Sequence, residues 1–222
     1  MRQRAFEFAV ASEPALDLFI AGRNAELLER LRAAARGQGE RCIYIWGPPG
    51  SGRTHLLKGT LGAAGGNAAY VNAAAGAGPL NAAENSDAVI VAVDDVEELD
   101  AGAQAALFNL YNALRERGGT FLAAGNVPPM RLPLRPDVIT RLGWGLVYEV
   151  HGLSDEEKSA ALTQRAMERG FALAPEVRDY LLSRVQRDMP TLLAMLDALD
   201  RYSLEEKRAI TVPLVRELLE RP

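Results

Sequence analysis

The chain predicts an α/β domain, a parallel sheet covered on both faces around a phosphate-binding loop, followed by a small all-helical domain. Three observations carry this reading. A strand, a Gly-rich loop and a helix start follow one another from Arg41 to Lys58; a second apolar run, Ala88 to Val93, ends in two aspartates; and from Ser154 onward the patterning is purely helical. The expected division is 1–150 for the nucleotide-binding domain with its N-terminal arm and 151–222 for the helical domain.

In chain order, Leu27 to Ala35 has a helical pattern. Arg41-Cys-Ile-Tyr-Ile-Trp46 is a short block of β-branched and aromatic residues, hence a strand, and it runs into Gly47-Pro-Pro-Gly-Ser-Gly-Arg-Thr54 and His55-Leu-Leu-Lys58. That succession predicts a P-loop and a helix starting near Thr54 and running to about Leu61. Gly50 and Gly52 let successive backbone N–H groups turn inward around a phosphate, and the positive end of the helix dipole faces the same charge. The candidate nucleotide contacts here are Pro48, Pro49, Gly50, Ser51, Gly52, Arg53, Thr54 and His55, with Thr54 also the expected Mg²⁺ contact. Arg53 stands where Lys is usual. Its planar fork still bonds phosphate oxygens but replaces a compact point charge, so nucleotide binding is expected and fast hydrolysis is not.

Gly62 to Gly78 is rich in Ala, Gly and Asn, encloses a short strand at Ala69-Tyr-Val-Asn72, and reads as otherwise low in packing power and flexible. Ala88 to Val93 then reads as a buried parallel strand that delivers Asp94 and Asp95 to the carboxyl edge of the sheet, where ligands of open α/β sheets sit. Asp94 is expected to hold Mg²⁺ through water and Asp95 to stand where a base would polarise water. The run from Gln104 to Leu114 places apolar residues at 107, 110, 111 and 114 on one helical face, closed by Gly118-Gly119. Thr120 to Ala124 and Leu146 to Val150 are the next strands, and such alternation predicts a parallel sheet between helical layers. Ser154-Asp-Glu-Glu157 is a capping box that opens a helix ending at Gly170; Pro175, Pro190 and Pro213 open three more.

Composition narrows the function classes. A chain of 222 residues, 48% hydrophobic, buries one substantial core and a small second one. No stretch approaches the ~20 apolar residues that cross a bilayer, and Met1 to Phe8 lacks the apolar centre of a signal peptide, so the cytosol is the expected compartment and no membrane partner is expected. The single cysteine, Cys42, excludes an internal disulfide and reads as a small core residue; two histidines, His55 and His151, cannot build a metal cluster. A net charge of −4 argues against holding DNA through a basic surface, so contact with DNA is expected to be indirect.

The order of elements resembles the AAA+ family of ATPases and, within it, the Hda family of DnaA-related regulators. The runs that carry the resemblance are Trp46-Gly47 to Leu57, Phe108-Asn-Leu-Tyr-Asn112, Thr140-Arg-Leu-Gly-Trp-Gly145, Leu153-Ser-Asp-Glu-Glu-Lys158 and Arg169-Gly-Phe171. It spans nearly the whole chain and is weakest from Gly62 to Gly78. It implies an AAA+ domain with a helical lid, no C-terminal helix-turn-helix, a bound ADP or other adenine nucleotide with Mg²⁺, and DnaA and the DNA polymerase sliding clamp as partners, with a homo-oligomer left open. The implied activity is regulatory inactivation: a clamp-tethered, nucleotide-bound protein that makes DnaA hydrolyse its ATP. By the same resemblance Phe19 and Ile20, within Phe19-Ile-Ala-Gly22, line the base pocket, Asn126 is the sensor residue beyond the fourth strand, and Arg141 is an arginine finger acting in trans. Two departures stand out. Pro190 occupies the place of a lid arginine, leaving Arg187 as the nearby cation, and the clamp-binding peptide reads Gln3-Arg-Ala-Phe-Glu-Phe8, with Gln3, Phe6 and Phe8 as its expected contacts. The rival class is an autonomous P-loop ATPase, such as a helicase loader or motor subunit.

Overall fold

Five short apolar segments form one parallel sheet: β1 (Cys42–Trp46), β2 (Ala68–Asn72), β3 (Ile90–Asp94), β4 (Thr120–Gly125) and β5 (Leu146–Glu149). Their order across the sheet is β2-β3-β4-β1-β5, and every pairing is parallel. This computed structural model describes residues 14–185 and 188–220. Gln3, Phe6, Phe8 and Arg187 therefore lie outside the described residues, as does the side chain of Pro190. The described chain divides into two units, the first ending at Gly152 and the second beginning at Leu153.

Side chains alternate across the sheet, as the period of two requires. Cys42 and Tyr44 of β1, Val91 and Val93 of β3, and Phe121 and Ala123 of β4 share a core with Leu80 and Ala83 of α3 (Ala77–Glu84), Leu107, Leu110 and Leu114 of α4 (Ala101–Glu116), and Val138 and Leu142 of α5 (Pro136–Leu142). The intervening Ile43, Ile45, Ile90, Ala92, Leu122 and Ala124 pack on Leu27, Leu28 and Leu31 of α1 (Ala25–Ala35) and Leu56 and Leu57 of α2 (Arg53–Ala64). A sheet buried on both faces explains why β3 is apolar without interruption until Asp94. Asp100 caps α4, its carboxylate accepting the N–H of Ala103 at 2.7 Å.

The stretch from Gly62 to Gly78 is more organised than its composition suggested. It contains β2, one residue longer than expected, whose backbone pairs fully with β3, and the start of α3, which the sequence reading did not contain. Small side chains pack there because the strand supplies main-chain hydrogen bonds and Val71 and Leu80 supply the apolar contact.

The second unit holds α6 (Asp155–Glu168), α7 (Pro175–Arg184), α8 (Met189–Glu206) and α9 (Val212–Glu220). Its own core contains Leu162, Val177, Leu181, Leu192, Leu196 and Val215. The capping box is formed reciprocally: Ser154 Oγ accepts the Glu157 N–H at 3.2 Å, and Glu157 Oε2 accepts the Ser154 N–H at 2.7 Å. Each later helix carries its proline in the first turn, where a missing N–H costs no helical bond.

Candidate functional site

The register of the sheet assembles the site. Trp46 of β1 lies level with Gly125 of β4 and Glu149 of β5, and Asn72 of β2 lies level with Asp94 of β3. The residues that follow these strand ends, Gly47 to Thr54, Asp95 and Asn126, therefore gather along one carboxyl edge. The loop is closed on the sheet by Gly47, whose N–H bonds the Gly125 carbonyl at 3.3 Å. Ser51 N–H turns back to the Pro48 carbonyl at 3.2 Å. Glycine is required at two of these positions. A Cβ at Gly47 would stand 2.6 Å from the Val150 carbonyl, and Gly52 has φ +101° with the Phe19 ring 2.7 Å from where its Cβ would be.

Helix α2 starts at Arg53, one residue before the expected point, and its first helical bond is Leu56 N–H to the Gly52 carbonyl at 2.9 Å. The amides of Arg53, Thr54 and His55 precede that bond and have no partner inside the helix. Beside them the buried Ser51 Oγ and Arg53 Nη1 have no hydrogen-bond partner among the described residues. An open ring of amides, an orphaned hydroxyl and an orphaned guanidinium N–H together suit a phosphate group, so the residues present fit a nucleotide.

Behind the loop, Asp94 is fully buried and is satisfied three times over. Its Oδ2 accepts from Thr54 Oγ1 at 2.6 Å and from the Tyr70 hydroxyl at 2.9 Å, and its Oδ1 accepts the Asp95 N–H at 3.0 Å. Burial, reinforced by this carboxylate, pushes the Tyr70 phenol well above its ordinary range, so it stays a donor. Asp95 adopts the left-handed conformation, φ 53° and ψ 48°, a conformation that costs a non-glycine residue on the order of 1 kcal/mol. The turn aims its carboxylate at Asn72 Nδ2, 2.9 Å away, and at Arg53 Nη2, 3.8 Å away.

A third carboxylate, absent from the sequence reading, completes the group. Glu97 lies on the short turn Val96–Glu98 and is 14% exposed. Its Oε1 is 3.7 Å from Arg53 Nη1, and its Oε2 accepts the backbone N–H of Asn126 at 3.2 Å. The signal was present as an acid three residues beyond Asp94 in a chain whose P-loop carries Arg. Phe19 reaches the loop from the N-terminal side, its ring centroid 5.9 Å from that of His55, and His55 Nε2 contacts the Ala15 carbonyl at 2.9 Å. Ile20 is half-buried on the same segment, and Asn126 is exposed at the end of β4. Among the described residues no cluster of three or more His, Cys, Asp or Glu side chains could hold a metal by itself. Thr54 and Asp94 are the pair that could share one with phosphate oxygens.

Arg141 belongs to a different neighbourhood. It lies in the last turn of α5, and its carbonyl faces Cys42 Sγ at 3.7 Å, at the amino end of β1. The P-loop leaves the other end of that strand, on the order of 13 Å away. The guanidinium lies 4.2 Å from the Phe108 ring centroid and 6.0 Å from that of Trp144. Among the described residues it has no ion pair, and its buried Nε has no hydrogen-bond partner. The Arg115 guanidinium also stacks on Trp144, at 4.5 Å. Burial pushes the Cys42 thiol to about 11, as suits an inert core residue.

Residues 155–219 match the family model of the Hda lid domain. Solved structures share the fold. Domain III of the Thermotoga maritima replication initiation protein DnaA aligns with a TM-score of 0.74 and 18% identity over 93% of this chain and 95% of that one. AMPPCP-bound DnaA from Aquifex aeolicus aligns with a TM-score of 0.68 and 21% identity over 86% and 66%. The Thermotoga maritima RuvB Holliday junction branch migration motor aligns with a TM-score of 0.66 and 16% identity over 96% and 73%. The chain thus spans about two thirds of the Aquifex protein it resembles.

Proposed function

We propose that this chain, Hda-like in its lid and of the DnaA-type AAA+ fold, is a nucleotide-bound regulator of DNA replication initiation that promotes hydrolysis of a triphosphate held by DnaA. The observation that carries the reading is Arg141. Its guanidinium is supported by aromatic faces, is free of any carboxylate among the described residues, and is anchored at the sheet edge remote from its own P-loop. A cation held in this way serves a neighbour's phosphate better than its own. An arginine supplied in trans stabilises charge developing in phosphoryl transfer and is worth ~10³ to 10⁵ in rate.

The chain's own site supports binding more than turnover. Arg53 is shared between two carboxylates, and Asp95 is engaged by Asn72 as well as Arg53. ADP with Mg²⁺ is the ligand pair this reading assigns, and bound Mg²⁺ would neutralise phosphate charge between Thr54 and the water shell of Asp94. Phe19, Ile20, Asn126 and Arg187 complete the nucleotide contacts, and Gln3, Phe6 and Phe8 tether the chain to the sliding clamp. Changing Phe6 and Phe8 together to Ala should abolish clamp binding with no change in melting temperature; retained binding with lower melting contradicts the tether.

The rival, a self-contained motor, draws on the assembled Thr54, Asp94 and Asp95 and on the fold shared with RuvB. One assay separates the two. ATP turnover by DnaA is measured with DNA-loaded clamp, with and without this chain, alongside turnover by the chain alone. Stimulation of DnaA with slow intrinsic turnover supports the regulator. Intrinsic turnover near ~1 s⁻¹ without stimulation supports the motor.

A further inference from the structure

A cavity of about 420 Å³ opens at the amino edge of the sheet, lined by Glu40, Arg41, Cys42, Leu114, Arg115 and Trp144 among others. Its floor belongs to the core, since Cys42, Leu114 and Phe121 are buried. Its rim is exposed and charged, with Glu40, Arg41 and Arg115 at the surface. Trp144 joins this cavity to the neighbourhood of Arg141. It is 55% exposed, and its backbone N–H bonds the Arg141 carbonyl at 3.2 Å. The guanidinium of Arg115 lies 4.5 Å from the indole and that of Arg141 6.0 Å. Burial raises the Tyr111 phenol above its ordinary range, and the positive charges of Arg115 and Arg141 both hold it back.

Among the described residues none of these three arginines has a carboxylate within ion-pair distance. Arg41 donates to the Gly118 carbonyl instead, and the one rim acid, Glu40, turns its Oε1 back to the Arg41 N–H at 3.1 Å. Three positive charges therefore meet one negative charge in a chain whose net charge is −4. Like charges gathered without a counter-ion repel, and an incoming anion relieves that repulsion. Arg141 is packed on two rings, as suits a fixed point of chemistry. Arg115 and Arg41 are spread around an open rim, where charges govern encounter and choice of partner. An exposed Trp beside an exposed Arg adds the residue types that carry most energy in protein interfaces.

We propose that this cavity is a docking socket for an acidic segment of the partner protein, with Arg115 as its principal contact. The inference rests on the reading that Arg141 serves a triphosphate held by that partner. Carboxylates of the segment meet the Arg115 and Arg41 guanidinium groups, and Glu40 limits how tightly they are held.

The test is ATP hydrolysis by DnaA with DNA-loaded clamp, measured against increasing concentration of this chain, so that docking and chemistry are read apart. Arg115→Glu should raise the half-maximal concentration about tenfold and leave the maximal rate unchanged. Arg115→Lys keeps the charge and should stay close to the unaltered chain. Glu40→Gln keeps an acceptor for the Arg41 N–H and removes the opposing charge, so it should lower the half-maximal concentration about threefold. Arg30→Ala, an exposed change on α1, should alter neither quantity. Melting temperatures equal to that of the unaltered chain establish that the variants fold. Arg115 and Glu40 variants that leave the half-maximal concentration unchanged, or shift it in the same direction, overturn the socket and leave the stimulation of DnaA standing. A fall in maximal rate in Arg115→Glu also overturns it, by placing Arg115 at the phosphate. No stimulation by the unaltered chain overturns the proposed function and the socket with it.

Discussion

Asp94 shows at the scale of one residue how the site holds charge in a dry place. The carboxylate has no exposure and depends on donors from Thr54, Tyr70 and the Asp95 backbone. Tyr70→Phe removes one of them and should lower unfolding stability by ~1–3 kcal/mol, read by denaturant titration; an unchanged midpoint would mean the bond contributes nothing. Arg53→Ala should abolish ADP binding by calorimetry, because it deletes a charge-assisted phosphate contact, and binding that persists would assign the grip to the amides alone. Cys42 gives a pH dependence. Its folded thiol is raised from 9.0 to about 11, so the folded chain keeps a proton that the unfolded chain releases first. Its contribution is full below pH 9 and is lost as pH rises to about 11, and Cys42→Ala should flatten that fall. The P-loop residues and Asp94 and Asp95 were legible from the sequence because their order along the chain is their order in the site. Tyr70, Asn72 and Glu97 were not. The first two act through pairing of β2 with β3, and the third is brought back by a turn whose geometry no period reveals.

Among the elements, long helices with marked ends were legible and weakly patterned ones were not. The capping box at Ser154 was readable because its partners stand at a fixed spacing, and both of its hydrogen bonds form. Ser154→Ala should cost ~0.5–2 kcal/mol of stability in the helical unit, measured by hydrogen exchange of α6 amides; exchange at the unaltered rate would show that packing around Leu162 alone holds the helix. α3 escaped notice because Ala, Gly and Asn carry no clear apolar period, and its place is set by Leu80 and Ala83 against the sheet. α5 ends at Leu142, one residue past Arg141, so the arginine sits on a helix end that packs against α4. That attachment, with Phe108 from α4 under the guanidinium, gives Arg141 a rigid mount.

The whole molecule combines a phosphate cradle whose cation is shared between acids with a second arginine, far along the sheet, that no acid neutralises among the described residues. The first favours holding a nucleotide, and the second favours acting on another. Holding has a thermodynamic signature: ADP at 100 times its Kd should raise stability by about 2.7 kcal/mol, seen as a higher melting temperature that Arg53→Ala no longer shows. Acting on another is the central claim, and Arg141→Ala tests it most directly. With DNA-loaded clamp and ATP-bound DnaA, the unaltered chain should accelerate hydrolysis, whereas Arg141→Ala should eliminate the acceleration with melting temperature, ADP content and clamp binding close to normal. Arg141→Lys should restore little, since the planar fork is lost. Full stimulation of DnaA by the alanine variant would contradict the account and leave Arg141 as a packing residue between α4 and α5.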